Sequence, residues 1–418
     1  MDAHHIDHPL RVLLSEGSGV TSRQVAGRLH RLGHTVGVLS SESIGLTRFT
    51  NAVRRWHRVG AFGHRPLGWL EEAVGVFRTE GYDVLLPTQE QVTVLAWARD
   101  AGWLDDVPTA VPPFASLQAV QDKVSAEATL DRLAIARPPT MVIDRADLLT
   151  WDRFPVYVKL PVATASTGVR RLDGPGDARE TAASWPDGPI VVQDAVDAPL
   201  AMVQSVWDDG RMVAFHANLR ASEGVRGGAS HKRSVALPDA REAIEQLGRS
   251  LGWHGGLSAD VLVTDAGSLV IDVNPRFVEP GNALAAGTDL TAALLDVATG
   301  SRPATLPDGR ADARTHQVLL AVLGAAQHSG TRQAVVRELW HAARRTGGYA
   351  VSTEELTPVA GDPLAALPLL AASAATVAAP SAWLHFAGTS VSNYAISPDG
   401  WKELCSLSSR PGPGATRG

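Results

Sequence analysis

The stretch Leu257-Ser-Ala-Asp-Val-Leu-Val-Thr-Asp-Ala-Gly-Ser-Leu-Val-Ile-Asp-Val-Asn-Pro-Arg276 decides the reading of this chain. Two apolar runs flank the turn-forming segment Thr264-Asp-Ala-Gly-Ser268, so a β-hairpin is predicted. A hairpin symmetric about Ala266 sets Asp260 directly opposite Asp272. Strand side chains alternate, which puts Asp260, Asp272 and Asn274 on one face and Ala259, Val261, Ile271 and Val273 on the other. Two carboxylates opposed across a ladder repel. A divalent cation removes the repulsion, and Asn274 supplies a third oxygen. An all-oxygen set without His or Cys suits Mg²⁺, with Mn²⁺ as a substitute. A wet sheet face explains a single Asp, but not Asp, Asp and Asn in phase, followed at once by Pro275-Arg276. The planar fork of Arg276 suits a phosphate or a carboxylate.

Upstream, Arg11 to Leu14 reads as a strand and Ser15-Glu-Gly-Ser-Gly19 as a loop. Val25, Leu29 and Leu32 then fall at helical spacing, Gly33 ends the helix, and Thr35-Val-Gly-Val-Leu39 is a second strand. That is a βαβ unit. Tyr82 to Pro87 and the helical stretch Glu90 to Ala101 continue a small parallel α/β domain. After Pro112-Pro113 a helix is expected, N-capped by Ser116, with an apolar stripe of Leu117, Val120 and Val124 and with Lys123 on it. Short strands then dominate, at Val156–Leu160, Ile190–Val192, Arg211–Phe215 and the hairpin, with one helix around Arg241 to Leu251: an α+β region. From Thr315 the pattern is mainly helical, and the Pro/Gly-rich tail from Arg410 is expected to be disordered.

The totals narrow the function class. A chain of 418 residues is too long for one ordinary core. Net charge is −6 with no Lys/Arg-rich block, which argues against a nucleic-acid partner. The lone Cys405 leaves no disulfide framework and no cysteine metal site, in keeping with a cytoplasmic setting. The first residues lack the basic and apolar regions of a signal peptide. No run of 18 apolar residues occurs, so no membrane span is expected.

Lys159 lies within the otherwise apolar strand Val156-Tyr-Val-Lys-Leu160, where it needs a counter-anion unless the strand is an edge. Ala163-Thr-Ala-Ser-Thr-Gly-Val169 follows, a small-residue loop able to offer backbone N–H groups to phosphates. Between later strands, Asn218-Leu-Arg220 and Arg226-Gly-Gly-Ala-Ser-His-Lys-Arg233 form a polar stretch; Arg220, Arg226 and His231 are candidates to hold a substrate carboxylate or phosphoryl group, against the alternative of a solvated loop.

The ordered set Asp122-Lys123, Val158-Lys-Leu-Pro161, Ser166-Thr-Gly-Val169, Val191-Val-Gln-Asp194, Asp260 and Asp272-Val-Asn-Pro-Arg276 resembles the ATP-grasp superfamily, especially its carboxylate–amine ligase branch. The resemblance runs from about Arg11 to Leu290. It implies a multidomain α/β and α+β chain: a pre-ATP-grasp domain (1–112), an ATP-grasp domain (113–305) with a lid at about 154–195, a mainly helical C-terminal region (306–409) and a tail (410–418). It also implies ATP and Mg²⁺ as cofactors. Lys123 and Lys159 match the ATP-holding lysines, Ser166, Thr167 and Gly168 the phosphate lid, and Gln193, Asp194 and Val196 the adenine hinge. Asp260, Asp272 and Asn274 match the metal ligands, and Arg276 matches the arginine on the phosphoryl group or substrate carboxylate. The implied reaction is phosphorylation of a carboxylate to an acylphosphate, releasing ADP, then displacement of phosphate by an amine. Departures are visible. The two metal acids are Asp where Glu is common, the lid is Ala/Thr-rich rather than Gly-rich, and the ribose contact has no match.

Other readings compete. A Rossmann-type oxidoreductase is suggested by Gly17-Ser-Gly19, but Ser22 stands where the third glycine belongs. A non-catalytic ATP-binding protein on the same fold, carboxylation and thiol ligation are the others. The C-terminal helices are expected either to close the substrate pocket or to form a homodimer interface.

Overall fold

The computed structural model describes residues 8–164 and 168–408. Among the described residues three sheets carry the architecture. The first is parallel, with order β3-β2-β1-β4: β1 Arg11–Leu14, β2 Thr35–Ser40, β3 Val53–Arg58 and β4 Val84–Leu86. The second is antiparallel, with order β5-β8-β6-β7: β5 Thr140–Asp144, β6 Val156–Lys159, β7 Val169–Leu172 and β8 Pro189–Asp194. The third has the order β13-β12-β9-β10-β11-β14-β15. Its strands are β9 Leu200–Asp208, β10 Arg211–Glu223, β11 Ala229–Ser234, β12 Gly255–Thr264, β13 Gly267–Asn274, β14 Arg314–His316 and β15 Thr353–Glu354. The α/β and α+β organisation expected from the sequence is therefore present.

The parallel and central sheets share a core. The helix Leu290–Ala298 is buried along its whole length and joins the cluster containing Val12, Leu14, Val36 and Val84 to Val206 and Val213. The central sheet buries its other side against the helix Pro238–Ser250, whose Ile244 and Leu247 meet Trp207, Ala259, Val261 and Val273. The remaining hairpin face is left for the cleft.

Two local expectations fail for clear reasons. Ser116 does not cap a helix. The helix Phe114–Gln121 starts earlier, and the Ser116 hydroxyl donates 2.5 Å to the Leu251 carbonyl instead. The chain then breaks at Asp122, which is extended and caps a new helix, Lys123–Arg132, by accepting from the Ser125 N–H at 2.9 Å and its hydroxyl at 2.6 Å. Lys123 thus opens a second helix rather than continuing the first.

The region after residue 306 is mainly helical but is not built apart. It adds β14 and β15 to the central sheet, and its last helix, Pro398–Ser408, buries Trp401 and Leu404 in the core of the parallel-sheet unit. The tail 410–418 lies outside the described residues. Among the described residues no helix is long and apolar enough to cross a membrane.

Gly248 on the helix Pro238–Ser250 lies flat against the Trp207 indole, where a Cβ would collide with the ring. Gly248→Val is expected to lower unfolding free energy by about 1–3 kcal/mol in urea titrations; an unchanged midpoint would show that this packing is loose.

Candidate active site

The hairpin register holds where it matters, through a compensation the sequence hides. The turn is the two-residue Asp265-Ala266, with Thr264 paired to Gly267, one residue off symmetry about Ala266. A β-bulge between Asp260 and Val261 restores the count, so Asp260 pairs with Asp272 and Ser258 with Asn274. The bulge also corrects the expected facing of Ile271. Val270 and Val273 enter the core, while Ile271 and Asp272 both line the cleft.

The lysines approach from two directions. Lys123 Nζ donates to Asp272 Oδ1 at 3.0 Å, and its backbone N–H donates 2.9 Å to the Pro161 carbonyl at the foot of the lid loop. Lys159 lies on β6, between β8 and β7, so it is not an edge lysine. Its Nζ donates to Gln193 Oε1 at 2.9 Å and to the Ile271 carbonyl at 2.5 Å. The expected counter-anion is not a direct partner. Neutral carbonyl oxygens solvate the ammonium, and Asp272 acts on it through space. Gln193, in turn, donates 3.0 Å to Thr140 Oγ1, so both ends of its amide are engaged. Asp194 and Val196 line the cleft beside it.

Arg276 is fixed by Gln89 Oε1 at 3.1 Å and Asn274 Oδ1 at 3.0 Å. Asn274 Nδ2 reaches Asp260 Oδ2 at 3.4 Å. The loop between β6 and β7 is joined at its base by a backbone bond from the Leu160 N–H to the Gly168 carbonyl, 2.8 Å. A side chain at Gly168 would collide with Ala163. Ser166 and Thr167 lie outside the described residues.

Electrostatics separates the two acids. Burial, with Asp272 opposite, pushes the Asp260 carboxyl up to about 6. Burial also acts to raise Asp272, but Lys123 and then Lys159 outweigh it and hold that carboxyl below its usual value. Burial lowers Lys159 against the pull of Asp272. A half-buried pair of this kind, one acid compensated by a direct ion pair and one not, carries negative charge that a divalent cation would relieve. Asp260, Asp272 and Asn274 are therefore a donor set that fits a hard cation.

Lys159, Gln193, Asp260, Asp272, Asn274 and Arg276 line one cleft of about 1200 Å³, between the β5–β8 sheet, the central sheet, the loops after β1 and β2, and the C-terminal helices, while Lys123 lines a small neighbouring cavity that shares Asp272, Asn274 and Arg276 with it. No protein-family model matches the sequence, and no curated protein matches it by sequence. Solved structures match by shape. The biotin carboxylase domain dimer of Hydrogenobacter thermophilus 2-oxoglutarate carboxylase, solved with MgADP, ADP and bicarbonate, has a TM-score of 0.56 and 15% identity over 73% of this chain and 74% of that one. Staphylococcus aureus N5-carboxyaminoimidazole synthetase with ADP gives 0.57 and 12% over 75% and 83%. The Thermotoga maritima N5-carboxyaminoimidazole ribonucleotide synthetase gives 0.55 and 16% over 73% and 79%.

The chain has the ATP-grasp fold. Within it, the loop that suggested a dinucleotide enzyme is filled by its own side chain. The Glu16 carboxylate accepts from the Ser18 N–H at 2.6 Å, the Ser18 hydroxyl at 2.7 Å and the Gly19 N–H at 3.0 Å. The helix Val20–Arg31 already has an anion at its start, where a pyrophosphate would need to sit.

Of the three substrate candidates, Arg220 and Arg226 line the cleft and His231 does not. The His231 ring packs against His316 and Tyr349, with centroids at 5.8 and 4.6 Å. Its neighbour Lys232 points into the cleft instead. Lys232 is fully buried, bonded to Glu279 at 2.5 Å and Glu355 at 2.6 Å, and Gln317 Nε2 bridges both acids at 2.7 and 2.9 Å. Burial opposes the charge on Lys232, but the two glutamates more than restore it and raise its pKa. Sequence reasoning missed this cluster. Ala229-Ser-His-Lys-Arg-Ser234 has no large apolar residue to set the phase of the strand, and Glu355 is far along the chain.

The raised Asp260 has a stability consequence. Between its ordinary 3.8 and its folded value of about 6 the native chain holds a proton that the unfolded chain has lost. Stability therefore falls as pH rises through that window, and the deficit is complete above it. With chelator present, Asp260→Asn is expected to stabilise the protein by roughly 1–3 kcal/mol near pH 8. The gain should vanish below about pH 4. Identical melting curves near neutrality would contradict the assignment.

Proposed function

We propose that this protein is an ADP-forming ligase that uses ATP to activate a substrate carboxylate and joins it to an amine. The observation that carries the reading is the opposed Asp260–Asp272 pair, flanked in one cleft by Asn274, Arg276 and Lys159, with Lys123 bound to Asp272 from the small cavity beside it. The likeness to enzymes solved with ADP, MgADP or bicarbonate supports it.

Asp260, Asp272 and Asn274 would hold Mg²⁺, which when bound neutralises phosphate charge and orients the polyphosphate. Lys123 and Lys159 are placed to bind phosphate oxygens, Lys159 from a position already solvated by Gln193 and the Ile271 carbonyl. Gly168, with Ser166 and Thr167, would cover the phosphates. Gln193 positions Lys159, which leaves the adenine edge to the Asp194–Val196 segment. Arg276, held by Gln89 and Asn274, would take the charge that develops on the transferring group or the substrate carboxylate. Such catalysis is positioning and charge neutralisation, and needs no protein nucleophile. Arg220 and Arg226 face the same cleft and are assigned to the substrate end.

A second reading keeps the site and changes the acid. All three solved relatives described above carry carboxylase or carboxyaminoimidazole names, and one was solved with bicarbonate. Bicarbonate is itself a carboxylate that the same groups would phosphorylate. ADP release separates the readings: amino-acid pairs without bicarbonate support amide-bond formation, strict dependence on bicarbonate supports carboxylation, and ATP binding without turnover on either supports a sensor. Product masses fix the bond formed.

Asp272→Asn should cut ADP formation at least about a hundredfold, since it removes a metal ligand and the anchor of Lys123. The circular dichroism spectrum should be unchanged. Full turnover in a folded variant would remove the metal assignment.

A further inference from the structure

The cleft is larger than one ligand needs. Its volume of about 1200 Å³ exceeds the roughly 300–1,000 Å³ typical of a small-molecule site. Beyond Arg276 it continues between the N-terminal loops and three helices of the C-terminal region: Val318–Ser329, Ala366–Ala378 and Trp383–Tyr394. The wall there is apolar: Leu46 and Phe49 from the loop after β2, Leu320 and Leu323 from the first helix, Phe386 and Val391 from the last. Leu323 belongs to a buried cluster against which Leu46, Leu320 and Phe386 pack, so the wall has a fixed shape.

One cation stands on this wall. Arg226 lies on the short turn Val225–Gly227 in the left-handed region, φ 53°, between Gly224 and Gly227. The turn is pressed onto the helix Val318–Ser329: a Cβ on Gly324 would sit 2.7 Å from the Gly224 carbonyl carbon. The backbone N–H of Arg226 is held by Gln327 Oε1 at 2.8 Å. Its half-buried guanidinium lines the cleft and has no hydrogen-bond or ion-pair partner among the described residues. By contrast, Arg220 is spent on the Gly227 carbonyl at 2.7 Å and on Glu223 at 3.3 Å. A strained backbone holding a free guanidinium beside an apolar wall is a complementary surface for a molecule that joins an anionic group to an apolar body.

We propose that one of the two ligated substrates is a hydrophobic amino acid, its carboxylate bound by Arg226 and its side chain seated against the helices Val318–Ser329 and Trp383–Tyr394. This rests on the ligase reading for the word "ligated", but the binding site itself does not. The C-terminal helices thereby close the substrate pocket and select what enters it. Charge complementarity chooses an anionic ligand over a lipid tail or a neutral apolar molecule, and the six wall residues exclude a purely polar one.

The test is binding first and turnover second. Calorimetric titrations of the full chain would compare L-leucine, L-phenylalanine, glycine, L-serine and L-leucinamide. Leucine and phenylalanine should bind at least roughly tenfold tighter than glycine or serine. Arg226→Gln should weaken leucine by roughly tenfold and leave leucinamide unaffected. Ala371→Trp fills the cleft from a solvent-exposed helix position that no core depends on. It should abolish phenylalanine binding. Equal affinity for serine and leucine, or equal loss of leucine and leucinamide in Arg226→Gln, would overturn the proposal. ADP release with the same ligands reads the ligase separately. Tight, Arg226-dependent leucine binding without ADP from any pair sustains the pocket and defeats the ligase reading. ADP release that ignores side chain defeats the pocket alone.

Discussion

The chemistry proposed for this molecule depends on two carboxylates held against each other across one antiparallel hairpin. Asp260 and Asp272 face one another only because a bulge beside Asp260 absorbs the residue that a two-residue turn displaces. Without the bulge the strands would slip by one, and one acid would turn into the core face lined by Val203, Ala259 and Val273. Like charges paired this closely in a half-buried cleft cost stability. The surrounding groups answer unequally: Lys123 pairs directly with Asp272, while Asp260 has no ion pair within 4 Å among the described residues and is eased by the charge of Arg276, the amide of Asn274 and, more weakly, Lys123. That imbalance is what the proposed cation would relieve.

The rest of the fold serves that pair. Strand β6 is internal to its sheet, so Lys159 is kept from water and lies over the Ile271 carbonyl, next to Asp272 on the bulged strand. Lys123 is aimed by a chain break at Asp122 and tied through its N–H to Pro161, at the root of the lid. Gln89, from the parallel-sheet unit, fixes Arg276, and the first helix contributes Thr21 and Gln24 to the turn after it, where their side-chain oxygens accept from the backbone N–H groups of Glu279 and Gly281. The site is assembled from three sheets, which explains why the loops after β1 are packed by the buried Glu16 instead of being left open to bind an anion.

The sequence was most legible where pattern and chemistry coincide. The hairpin acids, Lys159 and the βαβ opening were readable because apolar alternation fixed their phase. The exchange of Ile271 for its expected facing was not, since a bulge leaves no mark on composition. Ser116 looked like a cap because its type suits one, but its hydroxyl is used in a tertiary bond to Leu251. His231 and Lys232 exchanged roles for want of an apolar neighbour to set the strand phase. The Lys232–Glu279–Glu355–Gln317 cluster joins residues remote in sequence, so only the fold could bring it together. The same holds for Leu46, Leu323 and Phe386, which meet only across the cleft.

The most direct test of the account is electron paramagnetic resonance of Mn²⁺ titrated into the protein with a non-hydrolysable ATP analogue. The account predicts a bound Mn²⁺ signal that requires the nucleotide, is present in wild type and is lost in both Asp260→Asn and Asp272→Asn. Mn²⁺ bound equally well by wild type and by both aspartate variants would contradict it.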